Sequence, residues 1–151
     1  MNIKTFWKKE IHINELHISA NPENKKEVEG LLKQFEDKNI ITLINPINDM
    51  KVKVEINQIE SIETFSNYSI VVLYNEKNHY MIQKRLKDLE YLNKFGIVRI
   101  SNSVMVNINR IKQFKSSENA RLEVETKTNK KYVVSRHYAK KIKEEILCLD
   151  I

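Results

Sequence analysis

Residues 95–111 read FGIVRISNSVMVNINRI, a stretch that interleaves β-branched residues with arginine, serine and asparagine. β-Branched residues favour strands, whereas serine and asparagine favour turns and loops. The pattern predicts a strand over residues 97–100, followed by short polar side chains that are carried on a loop. Such side chains can donate and accept hydrogen bonds close to the backbone.

The sequence on either side of this stretch predicts a mainly β (α+β) fold. Residues 51–56 alternate between charged and aliphatic side chains, which is typical of a strand with one solvent-facing side. Turn-forming clusters separate the other strand candidates at the spacing of an antiparallel meander. These candidates are residues 59–65, 69–74, 80–83, 112–115, 121–126 and 131–134. Two helices are predicted over residues 84–94 and 135–149 from the spacing of their leucine and isoleucine residues.

The N-terminal part has a different pattern, which predicts a small strand–helix–strand extension over residues 1–45. Residues 11–18 are predicted as a strand with a one-residue slip, and residues 40–44 as a second strand. Between them, Asn21-Pro22 begins a helix that ends near Asn39. Its apolar stripe consists of Val28, Leu31, Leu32 and Phe35. The turn signal at Asn45-Pro46 predicts the boundary with a second domain over residues 46–151.

The positive charge is concentrated in one segment. The chain has 26 basic and 20 acidic side chains, and residues 94–143 hold 13 basic and 3 acidic ones, a net charge of +10. A field of this kind attracts polyanions. It favours nucleic acid over an anionic membrane, because the basic residues are spread over short strands and turns instead of one amphipathic helix. Ordinary surface lysines remain the alternative explanation of the charge.

Composition excludes several classes of protein. Two glycines cannot form a Walker loop or a dinucleotide fingerprint, and the four histidines have no acidic or cysteine companions at ligand spacing. We therefore expect no enzymatic activity, no metal and no cofactor. A single cysteine, the lack of a secretory signal and apolar runs too short for a membrane-spanning helix predict a cytoplasmic protein.

An ordered set of motifs over about residues 50–148 resembles the LytTR DNA-binding domain of bacterial transcription regulators. The family pattern has an Arg-x-x-x-Ser-x-x-Val-Asn segment with a following Ile, and later a Ser-Arg-Arg-Tyr-like helix start. The matching residues are Arg99, Ser103, Val106, Asn107 and Ile111 for the first motif, and Ser135, Arg136, His137 and Tyr138 for the second. His137 replaces the second arginine, and Ser101-Asn102 departs from the residues that the family often has there. Because histidine changes its charge near neutral pH, a DNA contact of His137 would be weaker than that of an arginine or would depend on pH.

The resemblance implies an antiparallel β fold that presents loops to successive grooves of duplex DNA. On such a fold, the side chains expected to read bases are Asn102, Arg136, His137 and Tyr68, and Tyr68 lies where the family places a DNA-facing loop. The side chains expected to contact phosphates, from their charge or hydrogen-bonding groups, are Ser101, Lys112, Lys115, Ser135, Lys140 and Lys141. Asparagine pairs with adenine and arginine with guanine, in keeping with the first assignment. Ser103, Val106 and Asn107 are expected to form the fold, and Ser135 to cap a helix. Arg99 either contributes to the site or pairs with a buried carboxylate such as Glu63.

The resulting hypothesis is a stand-alone, response-regulator-like transcription regulator that binds double-stranded DNA as a homodimer. We expect the extension to serve self-association or docking of a membrane regulatory protein, and we expect no small-molecule substrate. The alternative is a non-enzymatic interaction module of the same fold that binds an acidic protein. RNA is a weaker third partner, because paired aromatic stacking positions are not evident in the sequence.

Overall fold

A computed structural model of the chain describes residues 2–13, 15–37 and 39–148. The chain divides into two compact units, one within residues 1–37 and the other within residues 38–151. In the part of the chain that is described, no helix is long and apolar enough to span a membrane.

The first unit contains one helix. A 3-10 turn, Pro22–Asn24, leads into α1 (Lys25–Asp37). The side chain of Asn21 accepts a hydrogen bond from the N–H of Glu23 at 3.0 Å, which confirms the predicted cap. Leu31 and Leu32 on the predicted stripe are exposed, and the side chain of Phe35 lies outside the described residues.

The predicted strand over residues 11–18 is wrong for the residues described there, 11–13 and 15–18, which form turns and irregular backbone. Ile13 is 92% exposed and Leu16 is 79% exposed. A strand needs a neighbour that pairs with its backbone groups, and its apolar face needs a surface to bury it. Among the described residues no strand pairs with this segment, and Ile13 and Leu16 are not covered, so the alternating pattern alone does not produce a strand.

The second unit is built on two antiparallel sheets. The larger sheet has the strand order β2-β1-β5-β4-β3-β7-β6. Its strands are β1 (Ile40–Ile44), β2 (Lys51–Glu55), β3 (Ile59–Phe65), β4 (Tyr68–Leu73), β5 (His79–Ile82), β6 (Ile97–Arg99) and β7 (Val104–Asn107). The smaller sheet has the order β10-β9-β8 and consists of β8 (Ile111–Ser116), β9 (Leu122–Thr126) and β10 (Lys131–Val134). The predicted mainly β, antiparallel fold class is therefore confirmed.

Helical segments cover the sheets. A 3-10 helix, Leu86–Phe95, lies between β5 and β6, and α2 (Arg136–Cys148) follows β10. Leu86, Leu89 and Leu92 recur every three residues, which matches the three residues per turn of a 3-10 helix, and all three are buried. Gly96 ends this helix with a φ of 85°, where glycine avoids steric strain. Short 3-10 turns occupy Ile56–Gln58, Ile108–Arg110 and Glu118–Ala120. Leu149, the last residue of the predicted α2 stripe, lies outside the described residues.

Two hydrophobic clusters form the core of this unit. The first packs the larger sheet against the 3-10 helix Leu86–Phe95, with Leu43, Ile62 and Val71 among its fully buried residues. The second packs β6 and β7 against the smaller sheet and α2. The residues of this second cluster are Val98, Ile100, Val106, Ile108, Leu122, Val124, Val134, Ala139, Ile142 and Ile146. The two clusters share the β6–β7 region, which thereby joins the two sheets.

The predicted strand over residues 40–44 forms, but its assignment to the N-terminal extension is corrected. β1 pairs with β2 along its whole length, and at Ile44 it also pairs with β5. Asn45 begins a hairpin turn in which its N–H donates to the carbonyl of Met50 at 2.9 Å. A Pro-containing turn signal does not distinguish such a hairpin turn from a linker between domains. β1 therefore belongs to the larger sheet, and the compact unit begins at residue 38 instead of 46.

Candidate nucleic-acid interface

Three chain segments from different elements meet at one end of the second unit. They are the tip of the β3–β4 hairpin (residues 65–68), the β6–β7 loop (residues 101–103) and the start of α2 (residues 135–137), which we call the loop cluster. The N–H of Thr64, next to the hairpin tip, donates to the carbonyl of Ser103 at 2.9 Å. The N–H of Ser135 donates to the carbonyl of Ile100 at 2.8 Å. These two hydrogen bonds hold the three segments side by side.

The β6–β7 loop presents Asn102 at its exposed tip. The loop is closed below this tip by a hydrogen bond from the N–H of Ile100 to the carbonyl of Val104 at 2.9 Å. Ser101 is half-buried and accepts a hydrogen bond from the N–H of Ser103 at 3.3 Å. The amide of Asn102 makes no hydrogen bond with any described residue, so both its donor and its acceptor remain free for a ligand.

The hairpin tip carries two aromatic side chains. Phe65 and Tyr68 face each other across the turn, and their ring centroids lie 6.2 Å apart at an interplanar angle of 26°. Between them, Asn67 accepts a hydrogen bond from Nη2 of Arg85 at 2.7 Å. Tyr68 remains 38% exposed. Its ring is therefore packed against a neighbour while the side chain remains partly accessible.

The start of α2 places two predicted base-reading residues on the surface. Ser135 precedes the helix, and its carbonyl accepts hydrogen bonds from the N–H groups of Tyr138 and Ala139, both at 3.0 Å. It therefore occupies the predicted cap position, but its hydroxyl forms no capping bond to the described residues. Arg136 and His137 are exposed, and the ring of His137 packs edge-to-face on Tyr138 with the centroids 4.8 Å apart.

Two predicted phosphate-binding lysines lie one turn further along α2. Lys140 and Lys141 are both exposed. Among the described residues neither of them, nor Arg136, has a carboxylate within ion-pair distance. Three positive charges are thus available to an external anion within the first two turns of the helix.

The other two predicted phosphate-binding lysines are neutralised within the protein. Nζ of Lys115 lies 3.4 Å from the carboxylate of Glu123, and Nζ of Lys112 lies 3.6 Å from that of Glu125. A hydrogen bond from Gln113, with smaller contributions from Lys112 and Lys131, lowers the pKa of Glu125. This carboxylate therefore stays charged beside its lysine partner near neutral pH.

The positions of these two lysines along β8 differ. Lys115 pairs with Glu123 of β9, which in turn pairs with Val133 of β10, two residues before the loop cluster. Lys112 lies near the other end of the sheet, where it donates a hydrogen bond to Asn129 in the β9–β10 turn. The fold brings Lys115 towards the loop cluster and leaves Lys112 away from it.

Several residues of the sequence motif serve the fold. Asn107 is 1% exposed, and its side chain donates to the carbonyl of Ile59 at 2.9 Å and accepts from the N–H of Asn109 at 3.0 Å. Val106 is fully buried, in agreement with the predicted structural role of both residues. Arg99 is half-buried and faces Glu90, not Glu63, with 3.9 Å between Nε and the carboxylate.

Two arginines that the sequence motifs do not single out, Arg85 and Arg121, lie next to the loop cluster. Arg85 holds the hairpin tip through Asn67. Arg121 is exposed immediately before β9, at the end of the strand that is closest to Ser135. Arg85 is the second residue of the helix predicted over residues 84–94, and Arg121 is the first residue of the strand predicted over residues 121–126. The neighbours of both arginines in space depend on strand pairing, which local sequence patterns do not reveal.

Comparisons with known proteins agree with this architecture. A family model described as the LytTr DNA-binding domain matches residues 49–147. A solved structure, the LytTr DNA-binding domain of a Bacillus cereus protein described as a methyl-accepting/DNA response regulator, aligns with a TM-score of 0.61. It shares 21% identity, and the alignment covers 70% of this chain and 94% of that one, which shows a common fold. No curated protein sequence matches the chain significantly.

Proposed function

Because the chain belongs to the LytTR DNA-binding domain family, a family of transcription regulators, we propose that it recognises specific double-stranded DNA sequences through the loop cluster. The observation that carries this proposal is the pair of backbone hydrogen bonds, Thr64 to Ser103 and Ser135 to Ile100, that aligns three exposed loops. Loops fixed in this way form a rigid surface that can enter a groove without reorganising.

In this proposal the base-reading side chains are those that the loops leave unpaired. The free amide of Asn102 can form two hydrogen bonds with adenine in the major groove, and the guanidinium of Arg136 can form two with guanine. His137 supplies a further ring N–H beside Arg136. Tyr68 is placed to contact the duplex from the hairpin tip. Each good bidentate contact discriminates against a wrong base by about 1–3 kcal/mol.

The phosphate contacts would set the register of the protein on the duplex. We assign them first to Lys140, Lys141 and Ser135, because the two ammonium groups and the Ser135 hydroxyl have no partner among the described residues. Ser101 would contribute from the β6–β7 loop. Lys115 would have to exchange Glu123 for a phosphate, which reduces the net gain because one ion pair replaces another. The same exchange at Lys112 would occur away from the loop cluster.

The proposal extends to partners. We propose that two copies occupy paired half-sites on DNA in the bacterial cytoplasm, and that the N-terminal unit supports self-association or docks a membrane regulatory protein. What supports this role is the exposed apolar surface of that unit, where Phe6 is 79% and Trp7 is 94% exposed. Exposed groups of large apolar side chains often mark interaction sites. Deletion of residues 1–37 is expected to abolish cooperative binding and to leave the affinity for a single half-site unchanged.

The test is a fluorescence-anisotropy titration with a duplex that the full chain enriches from a random library, compared with its scrambled version. Arg136→Ala should lose about 1–3 kcal/mol on the enriched duplex and little on the scrambled one. Lys127→Ala is the matched control, because Lys127 is an exposed basic residue in the β9–β10 turn, away from the loop cluster. It should leave both affinities close to those of the wild type.

Salt dependence separates this proposal from the interaction-module alternative. The logarithm of the association constant should fall with the logarithm of salt concentration by about 0.9 for each phosphate neutralised. If no duplex is enriched, and Arg136→Ala and Lys127→Ala bind DNA equally weakly, the proposal is wrong. An acidic protein then becomes the partner to seek.

A further inference from the structure

Arg121 immediately precedes β9 and Ser135 immediately follows β10, at the same end of the smaller sheet. β9 and β10 pair with Leu122 opposite Val134 and Glu123 opposite Val133. One more step of the same antiparallel register places Arg121 opposite Ser135. Residues opposite each other in such a ladder have Cα atoms about 4.5–5.5 Å apart. Arg121 is therefore next to the loop cluster, although 14 residues separate it from Ser135 in the sequence.

Strand alternation also places Arg121 on the solvent-facing side of the sheet. Leu122 and Val124 point into the core, whereas Glu123 and Glu125 lie on the other face. Arg121 has the parity of the two glutamates and an extended backbone with φ −85° and ψ 167°. Its side chain is exposed, like that of Arg136.

No described carboxylate neutralises Arg121. The nearest acidic residue on its own face, Glu123, is paired with Lys115 at 3.4 Å. Glu118 contributes only its backbone carbonyl, which accepts from the N–H of Arg121 at 3.3 Å. Lys112 and Lys115 on β8 have carboxylate partners, so Arg121 is the stronger candidate for an external anion on this sheet.

The turn before Arg121 fixes its position. The N–H of Ser117 donates to the carbonyl of Arg121 at 2.9 Å, which closes the turn. Asn119 and Ala120 both adopt a φ of 58°. Asparagine tolerates this left-handed region, but alanine rarely adopts it, and such backbone strain tends to occur at functional sites. The strained turn holds the backbone of Arg121 beside Ser135.

We infer that Arg121 is a DNA phosphate-contacting residue that works together with Ser135 and Arg136. This inference rests on the proposed function and adds a fourth chain segment, residues 117–121, to the three of the loop cluster. A guanidinium presents parallel N–H donors that match two phosphate oxygens, whereas a lysine offers a single point charge. Because every nucleotide carries this phosphate, the contact strengthens binding to all sequences and sets the register for Arg136.

The experiment compares Arg121→Ala, Arg121→Lys and the control Lys127→Ala in the full chain. Arg121 and Lys127 flank the same strand about 20 Å apart, so the two alanine variants remove the same charge at opposite ends of β9. Arg121→Ala should weaken binding to the enriched and scrambled duplexes alike, by about tenfold at low salt. Its salt slope should fall by about 0.9. Arg121→Lys should retain the salt slope while losing part of the affinity.

The outcomes distinguish this inference from the proposed function. If Arg136→Ala loses specificity but Arg121→Ala behaves like Lys127→Ala, the role of Arg121 is wrong and the proposed function stands. If the wild type binds neither duplex in a salt-dependent way, both are wrong. Equal melting temperatures of the two alanine variants exclude misfolding as the cause of a difference. Should Arg121→Ala fail to fold, Arg121→Gln, which keeps the length and polarity of the side chain, must show the reduced slope.

Discussion

The two ends of the smaller sheet differ in how some of their basic side chains are partnered. Next to the loop cluster, Arg121 and Arg136 are exposed and have no carboxylate partner among the described residues. At the opposite end, which we call the distal end, Lys130 lies 3.6 Å from Glu60, and Arg110 donates to the carbonyl of Asn57 at 2.7 Å. Some of the basic side chains are thus engaged in contacts within the protein. The net charge of the sequence therefore overstates the positive charge that a ligand meets.

The distal end uses these contacts to join the two sheets. Glu60 of β3 is 1% exposed, accepts a hydrogen bond from Thr128 in the β9–β10 turn and faces Lys130. The hydroxyl of Tyr132 donates to Oγ of Ser61 at 3.1 Å. A buried carboxylate without partners would be strongly destabilising, so these polar residues are part of the fold. At the loop cluster, in contrast, the side chains of Asn102 and Arg136 and the hydroxyl of Ser135 have no partner among the described residues.

The largest expected effect comes from two truncations that test whether the second unit folds without β1, the strand next to the edge strand β2 of the larger sheet. A fragment of residues 38–151 keeps β1 and should unfold cooperatively. A fragment of residues 46–151 lacks β1 and with it the buried side chains of Ile41 and Leu43. Each such side chain is worth about 2–5 kcal/mol, and a domain of this size has only about 5–15 kcal/mol in total. The shorter fragment should show no thermal transition by circular dichroism, and equal melting of the two would contradict the assignment of β1.

A pair of asparagines sharpens the comparison between a fold-forming and a ligand-facing polar residue. Asn107→Ala removes a buried hydrogen bond to the carbonyl of Ile59 and a partly buried one from the N–H of Asn109. We expect the free energy of unfolding to fall by about 2–3 kcal/mol in urea titrations. Asn109→Ala is the control, because the Asn109 side chain is exposed and makes only one long bond of 3.4 Å. Equal losses in the two variants would contradict the structural role of Asn107.

Asn102→Ala should show the complementary behaviour. Its amide is exposed and unpaired within the described residues, so the free energy of unfolding should change by less than about 0.5 kcal/mol. Affinity for the enriched duplex should fall by about 1–3 kcal/mol, and affinity for the scrambled duplex should be retained. Anisotropy titrations measure both. A loss of stability without a loss of specificity would place Asn102 among the fold-forming residues.

Local patterns in the sequence predicted the elements of the second unit better than their partners. Alternation in residues 51–56 and the leucines of the helix predicted over residues 84–94 identified the elements, because each signal lies within about ten residues. The pairing of β1 with β2 was missed because a hairpin turn and a linker use the same residue types. Side-chain chemistry on the implied fold indicated Asn102 and Arg136, and both are exposed, on two different segments of the loop cluster. It did not separate Lys112 from Lys115, since their carboxylate partners lie on another strand.

The distal end also predicts a pH dependence. Burial, partly offset by the hydrogen bond to Ser61, raises the pKa of Tyr132 above its usual value of 10.0. The folded state therefore favours the neutral phenol, and this contribution is complete below pH 10 and is lost as the pH rises through the pKa of the folded state. Tyr132→Phe should cost about 1 kcal/mol at neutral pH and should lose less stability than the wild type as the pH rises above 10. Chemical denaturation at several pH values measures this, and parallel losses in both proteins would contradict it.

The smallest expected effect compares the two lysines of β8 on DNA. Lys115→Ala should weaken binding by about 0.5 kcal/mol, because Lys115 lies towards the loop cluster but must first leave Glu123. Lys112→Ala should change affinity by less, since Lys112 lies near the distal end with two protein partners, Glu125 and Asn129. Salt titrations of both variants measure this difference. The slope of the logarithm of the association constant against that of the salt concentration should change for Lys115→Ala alone. An equal change for Lys112→Ala would mean that the duplex contacts β8 as far as the distal end. The two ends of the smaller sheet would then not differ in DNA binding.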